Sequence, residues 1–225
     1  MIKKSKVVAF DLDGTLIDSA PDITEALNHV LSKNHLKRIK VASVRKLIGS
    51  GARALINDSF EKQGFIVENL NELTKTFLDK YRSCFKEKTR LYPNAKSVLH
   101  TLKKKKYDIV LVSNKPEYYC IELLKYFNIY KYFSYISGGD TFKYRKPDAR
   151  HLKETIKKAN ILHYNCIFIG DSKFDLKCAT NSNIPCILLS HGYSDINIYN
   201  LNAFKIVDDL EDIIYTVEDY FGKIL

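Results

Sequence analysis

Four short apolar runs, ending at Phe10, Val112, Ile169 and Leu189, narrow what this chain can fold into, because segments of helical periodicity separate most of them. Weaker runs lie from Tyr135 to Ser137 and at Ile206-Val207. Strands that alternate with helices predict an α/β fold: a doubly wound, Rossmann-like parallel sheet with helices on both faces. The segment after Pro116 carries Ile121, Leu124 and Phe127 at helical spacing, and the last one carries Leu210, Ile213, Ile214, Val217 and Phe221.

The stretch between Thr15 and Tyr92 breaks that rhythm. It holds no convincing strand, yet shows helical stripes at Ile23, Ala26, Leu27, Val30 and Leu31, at Val44, Leu47 and Ile48, at Leu55, Ile56 and Phe60, and at Leu70, Leu73, Phe77 and Tyr81. Too long for a single crossover, it predicts a small helical domain inserted at residues 17–87, with the core made from 1–16 and 88–225 and the return punctuated by Pro93. Ser19, with Asp22 three residues on, predicts a capping box at the first of these helices.

At 225 residues the chain can bury one core, or one core with a satellite. The basic start, Lys3, Lys4 and Lys6, precedes an apolar run of only Val7 to Phe10, too short for a signal peptide or a membrane span. Cys84, Cys120, Cys166, Cys178 and Cys186 are odd in number and show no C-x-x-C spacing, which argues against a zinc site or disulfide framework and fits a reducing, cytoplasmic setting. The net charge of +10 raises the question of nucleic acid, but the dense run Lys103 to Lys106 follows Val98, Leu99 and Leu102 and reads as the solvated end of an amphipathic helix. Neither a nucleic-acid nor a membrane partner is expected; positive charge still favours a small anionic substrate.

The apolar runs end in reactive residues. Asp11-Leu12-Asp13-Gly14-Thr15 follows the first, Ser113-Asn114 the second, and Gly170-Asp171-Ser172-Lys173-Phe174-Asp175 the third, with Lys146-Pro147 between the last two. In an open parallel sheet, ligands bind beyond the carboxyl ends of the strands, so these clusters are expected to converge. Phosphoryl transfer needs an in-line nucleophile, a proton donor for the leaving oxygen and positive charge around the equatorial oxygens. Asp11 suits the first task and Asp13 the second. Carboxylates facing a phosphate call for a hard cation such as Mg2+.

In order and spacing, these clusters resemble the haloacid dehalogenase superfamily of phosphotransferases. The resemblance implies Asp11 as nucleophile, Asp13 as general acid and base, and a magnesium ion held by the Asp11 carboxylate, the Asp13 backbone carbonyl and Asp171. It implies phosphate binding by Ser113 and Lys146, and Thr15 and Asn114 are expected to donate hydrogen bonds there as well. Asp175 is expected to play a supporting role, orienting the metal's water shell or holding Lys146. The inserted helices correspond to the superfamily's cap over the active site.

Within the superfamily the chain looks most like phosphoglycolate phosphatases. The strings that carry the likeness are Phe10 to Asp22, Val112-Ser-Asn-Lys-Pro-Glu117, Gly138-Gly-Asp-Thr141, Lys146-Pro-Asp148, Gly170-Asp-Ser172 and His191-Gly-Tyr193. Ala149 departs from the pattern where the family commonly has proline. The likeness implies hydrolysis of 2-phosphoglycolate to glycolate and phosphate. Phosphatases of other specificity (sugar phosphate, pyrophosphate or nucleotide) and a sugar-phosphate mutase remain as alternatives. Thr15, where the mutases typically carry valine, leans toward hydrolysis. In the cap, Gly49 and Gly51 resemble a family loop, and Arg45 and Arg53 are candidates for a substrate carboxylate. Oligomeric state is not legible.

Overall fold

The computed structural model describes residues 5–223; Lys3 and Lys4 of the basic start lie outside them. In chain order come β1 (Ser5–Phe10), the short β2 (Ile17–Asp18), then α1 (Ala20–Lys33), α2 (Val41–Arg45), α3 (Ala52–Glu61) and α4 (Leu70–Cys84). These are followed by β3 (Arg90–Leu91), α5 (Ala95–Lys104), β4 (Asp108–Val112), α6 (Glu117–Tyr126), β5 (Tyr135–Ser137) and α7 (Ala149–Lys158). The chain ends with β6 (Tyr164–Gly170), α8 (Lys173–Asn181), β7 (Cys186–Leu189), β8 (Lys205–Val207) and α9 (Asp212–Lys223).

Six strands form one parallel sheet in the order β5-β4-β1-β6-β7-β8. The chain winds outward from β1 through β4 to β5, then crosses back to β6, so the strand order reverses between β1 and β6. Side-chain alternation splits each strand between two cores. Val8 and Phe10, Ile109 and Leu111, and Ile167 and Ile169 face the side covered by α5 and α9. Val7 and Ala9, Val110 and Val112, and Cys166 and Phe168 face the side covered by α7 and α8. Strands buried on both faces read as unbroken apolar runs, which is why they stand out in the sequence.

Helices α1 to α4 pack on one another through their apolar stripes, α1 against α4 and α2, and α3 against α4. They join the sheet domain at an antiparallel pair in which Ile17 opposes Leu91 and Asp18 opposes Arg90. The expected capping box at Ser19 does not form: the Ser19 side chain makes no cap bond, and its hydroxyl turns to Asp13. Asp22 instead accepts from the Lys88 and Thr89 amides and the Thr89 hydroxyl, fastening α1 to the chain that returns to the sheet. A capping box does occur at α8, between Ser172 and Asp175.

Lys103 and Lys104 occupy the last turn of α5, exposed beyond buried Val98, Leu99 and Leu102. All five cysteines are free and buried. Among the described residues no helix is long and apolar enough to cross a membrane.

Candidate active site

The switch point between β1 and β6 is where the candidate site lies. Asp11 follows β1 directly, and its amide donates to the Ile169 carbonyl of β6 at 2.9 Å. Asp171 follows β6, its carboxylate held on both oxygens: Oδ1 accepts from the Thr15 hydroxyl at 2.9 Å and Oδ2 from the Tyr193 amide at 2.6 Å. Gly14, with φ of 85°, passes so close to Asp171 that a Cβ there would collide with the carboxylate.

Lys146 is buried between two of the carboxylates, its Nζ 2.6 Å from Asp175 Oδ1 and 2.8 Å from Asp11 Oδ1. Burial opposes the lysine charge, but Asp11 and Asp175 more than offset it and hold the ammonium above its ordinary pKa. Asp175 is engaged on its other oxygen too, accepting from the amides of Asp171 and Ser172 and from the Ser172 hydroxyl. Its placement follows from the capping box, which fixes the carboxylate at the opening turn of α8.

Asp11, Asp171 and Asp175 bring carboxylate oxygens within 4.8 Å of one another. Three carboxylates against one ammonium leave two negative charges in a buried site, the deficit a divalent cation fills. Burial pushes the Asp11 carboxyl up to about 6, with Lys146 pulling it down and Asp175 adding to the rise. Asp171 is raised well above the usual carboxylate range by burial and then by Asp175 and Asp11. Asp11 Oδ1 is buried and accepts no aligned hydrogen bond. The donor set fits a hard divalent ion; Asp175 is engaged by the Lys146 ammonium, two amides and a hydroxyl, and Asp171 by one hydroxyl and one amide.

Asp13 sits across from this cluster. Lys115 Nζ lies 3.0 Å from each of its oxygens, and the Ser19 hydroxyl donates to Oδ1 at 2.5 Å. Ser113, at the end of β4, lines the same pocket; its Oγ accepts weakly from the Lys115 amide at 3.4 Å, leaving its hydrogen available. Ile23, Ile48, Leu55, Phe77, Leu78 and Tyr81 supply the larger apolar and aromatic side chains of its walls.

The sequence profile of the haloacid dehalogenase-like hydrolases matches residues 8–189. The chain belongs to this family. It is 33% identical over 207 residues to a phosphoglycolate phosphatase of Mesorhizobium japonicum, covering 91% of each chain. It is 34% identical to one of Agrobacterium fabrum, covering 91% of this chain and 89% of the relative. A crystal structure of a predicted phosphoglycolate phosphatase from Haemophilus somnus superposes with a TM-score of 0.86 at 28% identity, covering 96% of this chain and 99% of the other.

In this hydrolase, several residues expected on the substrate are placed elsewhere. The Thr15 hydroxyl is fully buried and donates to Asp171, so its hydrogen serves a carboxylate and not a phosphate. The Asn114 amide donates to the carbonyls of Gly49 at 2.8 Å and Lys146 at 3.0 Å, tying the helical segment and the Lys146 loop together; both hydrogens are thereby spent. Arg45 pairs with Asp18 at 2.6 Å, at the junction between the two parts of the fold. Arg53 donates to Asn71 at 2.5 Å on the exposed surface. Neither arginine lines the pocket, whereas Gly49 and Gly51 do.

Three residues escape sequence reasoning. Lys115 stands inside the Ser-Asn-Lys-Pro string, and that string was its one signal. Tyr193 accepts at its hydroxyl from the amides of Ser19 and Ala20 and donates to Asp18 at 2.5 Å. Tyr81 looked like one more apolar position on a helical stripe.

Proposed function

We propose that this hydrolase is a magnesium-dependent phosphatase of small phosphomonoesters that works through an aspartyl phosphate on Asp11, with 2-phosphoglycolate as its preferred substrate. The observation that carries the reading is the meeting of Asp11 and Asp171 at the carboxyl ends of adjacent strands, beside the Lys146–Asp175 pair. The relatives named phosphoglycolate phosphatase support the substrate.

An Asp11 oxygen attacks phosphorus, the bond from phosphorus to the ester oxygen breaks, and its electron pair leaves with the alkoxide, which takes a proton from Asp13. Asp13 then accepts a proton from water as the water oxygen attacks phosphorus, and the Asp11–phosphorus bond breaks to release phosphate. Lys115 and Ser19 donate to Asp13 and fix its carboxylate for both transfers. Ser113 donates to an equatorial oxygen, and Lys146 sets its charge against the phosphoryl group. Asp11, Asp171 and the Asp13 backbone carbonyl would hold a divalent ion, which would supply the rest of the positive charge.

Residues 17–87 act in this reading as a cap that excludes water from the reacting atoms. Support comes from the pocket itself, which Asp11 and Asp13 share with Ile23, Ile48, Leu55, Phe77 and Tyr81. The apolar share of that wall favours a second reading, a phosphatase for a phosphomonoester with a less polar alcohol.

Phosphate release by the purified protein over 2-phosphoglycolate, sugar phosphates, alkyl phosphates, pyrophosphate and nucleotides, with Mg2+ or with chelator, tests both. Mg2+-dependent preference for 2-phosphoglycolate is the expected result. Preference for another phosphomonoester keeps the chemistry and replaces the substrate; no turnover on any member overturns the reading.

A further inference from the structure

We infer that Tyr81 is the residue by which the pocket recognises the alcohol portion of its substrate, its phenol donating a hydrogen bond to an anionic acceptor on the leaving group. The inference rests on the phosphatase reading and names the contact which that reading lacks once Arg45 and Arg53 are found elsewhere.

Tyr81 is 2% exposed and lines the same pocket as Asp11 and Asp13; its hydroxyl stands beside the Lys115 ammonium, which can only donate to it, and its own hydrogen meets no acceptor. A buried donor without an acceptor is costly, and this hydrogen is left for a ligand in the pocket. The ring has little freedom to find another partner. Phe77 stacks against it with centroids 5.8 Å apart, Tyr119 meets it edge-on at 4.9 Å, and Phe85 lies at 5.8 Å. Burial holds the phenol above its ordinary pKa, so it remains a neutral donor.

The surroundings select the sign of the acceptor. Lys115 is the one cation lining the pocket among the described residues, and its Nζ lies 4.8 Å from the Tyr81 ring centroid. Two of its hydrogens go to Asp13, and the third faces the Tyr81 hydroxyl, so the phenol hydrogen is the one turned to a ligand. Gly51 and Ala52, at the start of α3, line the same pocket and add the positive end of a ten-residue helix. Asp11 and Asp13 carry the negative charge at the phosphoryl end. Among the side chains that α1 to α4 contribute to the pocket, only that of Tyr81 offers a hydrogen bond; the others are Ile23, Ala52, Leu55, Phe77 and Leu78. The leaving group that fits is short, with an acceptor such as a carboxylate near the ester oxygen.

Tyr81→Phe removes the hydroxyl and keeps the ring. Its readout is the ratio of kcat/KM for 2-phosphoglycolate to kcat/KM for ethyl phosphate, which lacks the carboxylate. The variant is expected to lower that ratio about 10- to 100-fold, the range for a hydrogen bond to a charged group, with a Tm equal to or above that of the wild type. An unchanged ratio overturns the inference. So does a Tm lowered by several degrees, since the hydroxyl then has its partner inside the fold. Failure of the wild type to turn over 2-phosphoglycolate refutes the proposed substrate instead; the ratio for 3-phosphoglycerate, which carries a carboxylate, against propyl phosphate then decides the tyrosine by the same criterion.

Discussion

Lys115 Nζ stands 3.0 Å from both carboxylate oxygens of Asp13, though the two residues are 102 positions apart in the chain. The strands that carry them, β1 and β4, are neighbours in the sheet, and each residue lies just beyond its strand's carboxyl end. The lysine is buried; burial opposes its charge, and Asp13 and Tyr81 more than restore it. In the proposed mechanism it would position Asp13 for proton transfer. Lys115→Met is expected to lower kcat about 10- to 100-fold, within the usual worth of a general acid–base group. Steady-state kinetics on the best substrate of the panel checks this, and an unchanged kcat would remove the lysine from the mechanism.

Asp11→Asn is expected to abolish turnover by at least about 1,000-fold, because an amide oxygen is a poor nucleophile toward phosphorus. The fold should survive, since the substitution removes one of the crowded carboxylate charges around Lys146. Phosphate release together with far-UV circular dichroism distinguishes a lost nucleophile from a lost structure. Full turnover by a folded variant would sink the covalent mechanism.

The two uncompensated charges of the Asp11, Asp171 and Asp175 cluster make the folded protein a better ligand for a divalent ion than the unfolded chain. Mg2+ at about 100 times its dissociation constant should stabilise the fold by about 2.7 kcal/mol. Thermal melts with Mg2+ and with chelator measure that rise in Tm, which Asp171→Asn should largely remove. Equal melting curves for the wild type under both conditions would contradict the assignment.

His151 supplies a pH dependence of stability separate from catalysis. It is fully buried at the start of α7, and its Nδ1 accepts from the Lys146 amide at 3.2 Å. Burial, and then the Lys146 charge, depress its pKa from 6.5 to about 3. Between those values the unfolded chain takes up a proton that the folded chain refuses, so stability falls as pH falls through the window. The slope is about 1.4 kcal/mol per pH unit from this group. Urea unfolding at several pH values should show it in the wild type, and His151→Gln should flatten it. Parallel slopes for the two proteins would mean that the histidine is protonated in the fold.

What could be read along the chain, and what could not, divides by the range of the interaction that decides it. The strands ending at Phe10, Val112, Ile169 and Leu189 were legible because burial on both faces demands a continuous apolar run wherever the strand lies in the sheet. The helical stretch between Thr15 and Tyr92 was legible for a similar reason, since amphipathic periodicity is a property of each segment alone. Asp11, Asp13, Ser113, Lys146, Asp171 and Asp175 could be picked out because each follows a strand or sits in a local motif, and a parallel sheet gathers such positions at one edge.

Pairing is a different matter, because a side chain's type states what it can bond and not what arrives beside it. Ser19 has the composition of a helix cap and instead bonds Asp13; Asp22 leaves its own helix end for the amides of Lys88 and Thr89. Arg45 is free by sequence and paired by structure, while Asn114 spends both hydrogens joining Gly49 to Lys146. Thr15 turns to Asp171. Tyr81 differs from its apolar neighbours by one hydroxyl, whose hydrogen lacks an acceptor because of its packing among three aromatic rings and a lysine. Periodicity settled the fold, and motif spacing named the residues that the sheet gathers at one edge; only the folding of distant segments against one another decided which polar groups are already satisfied and which are not.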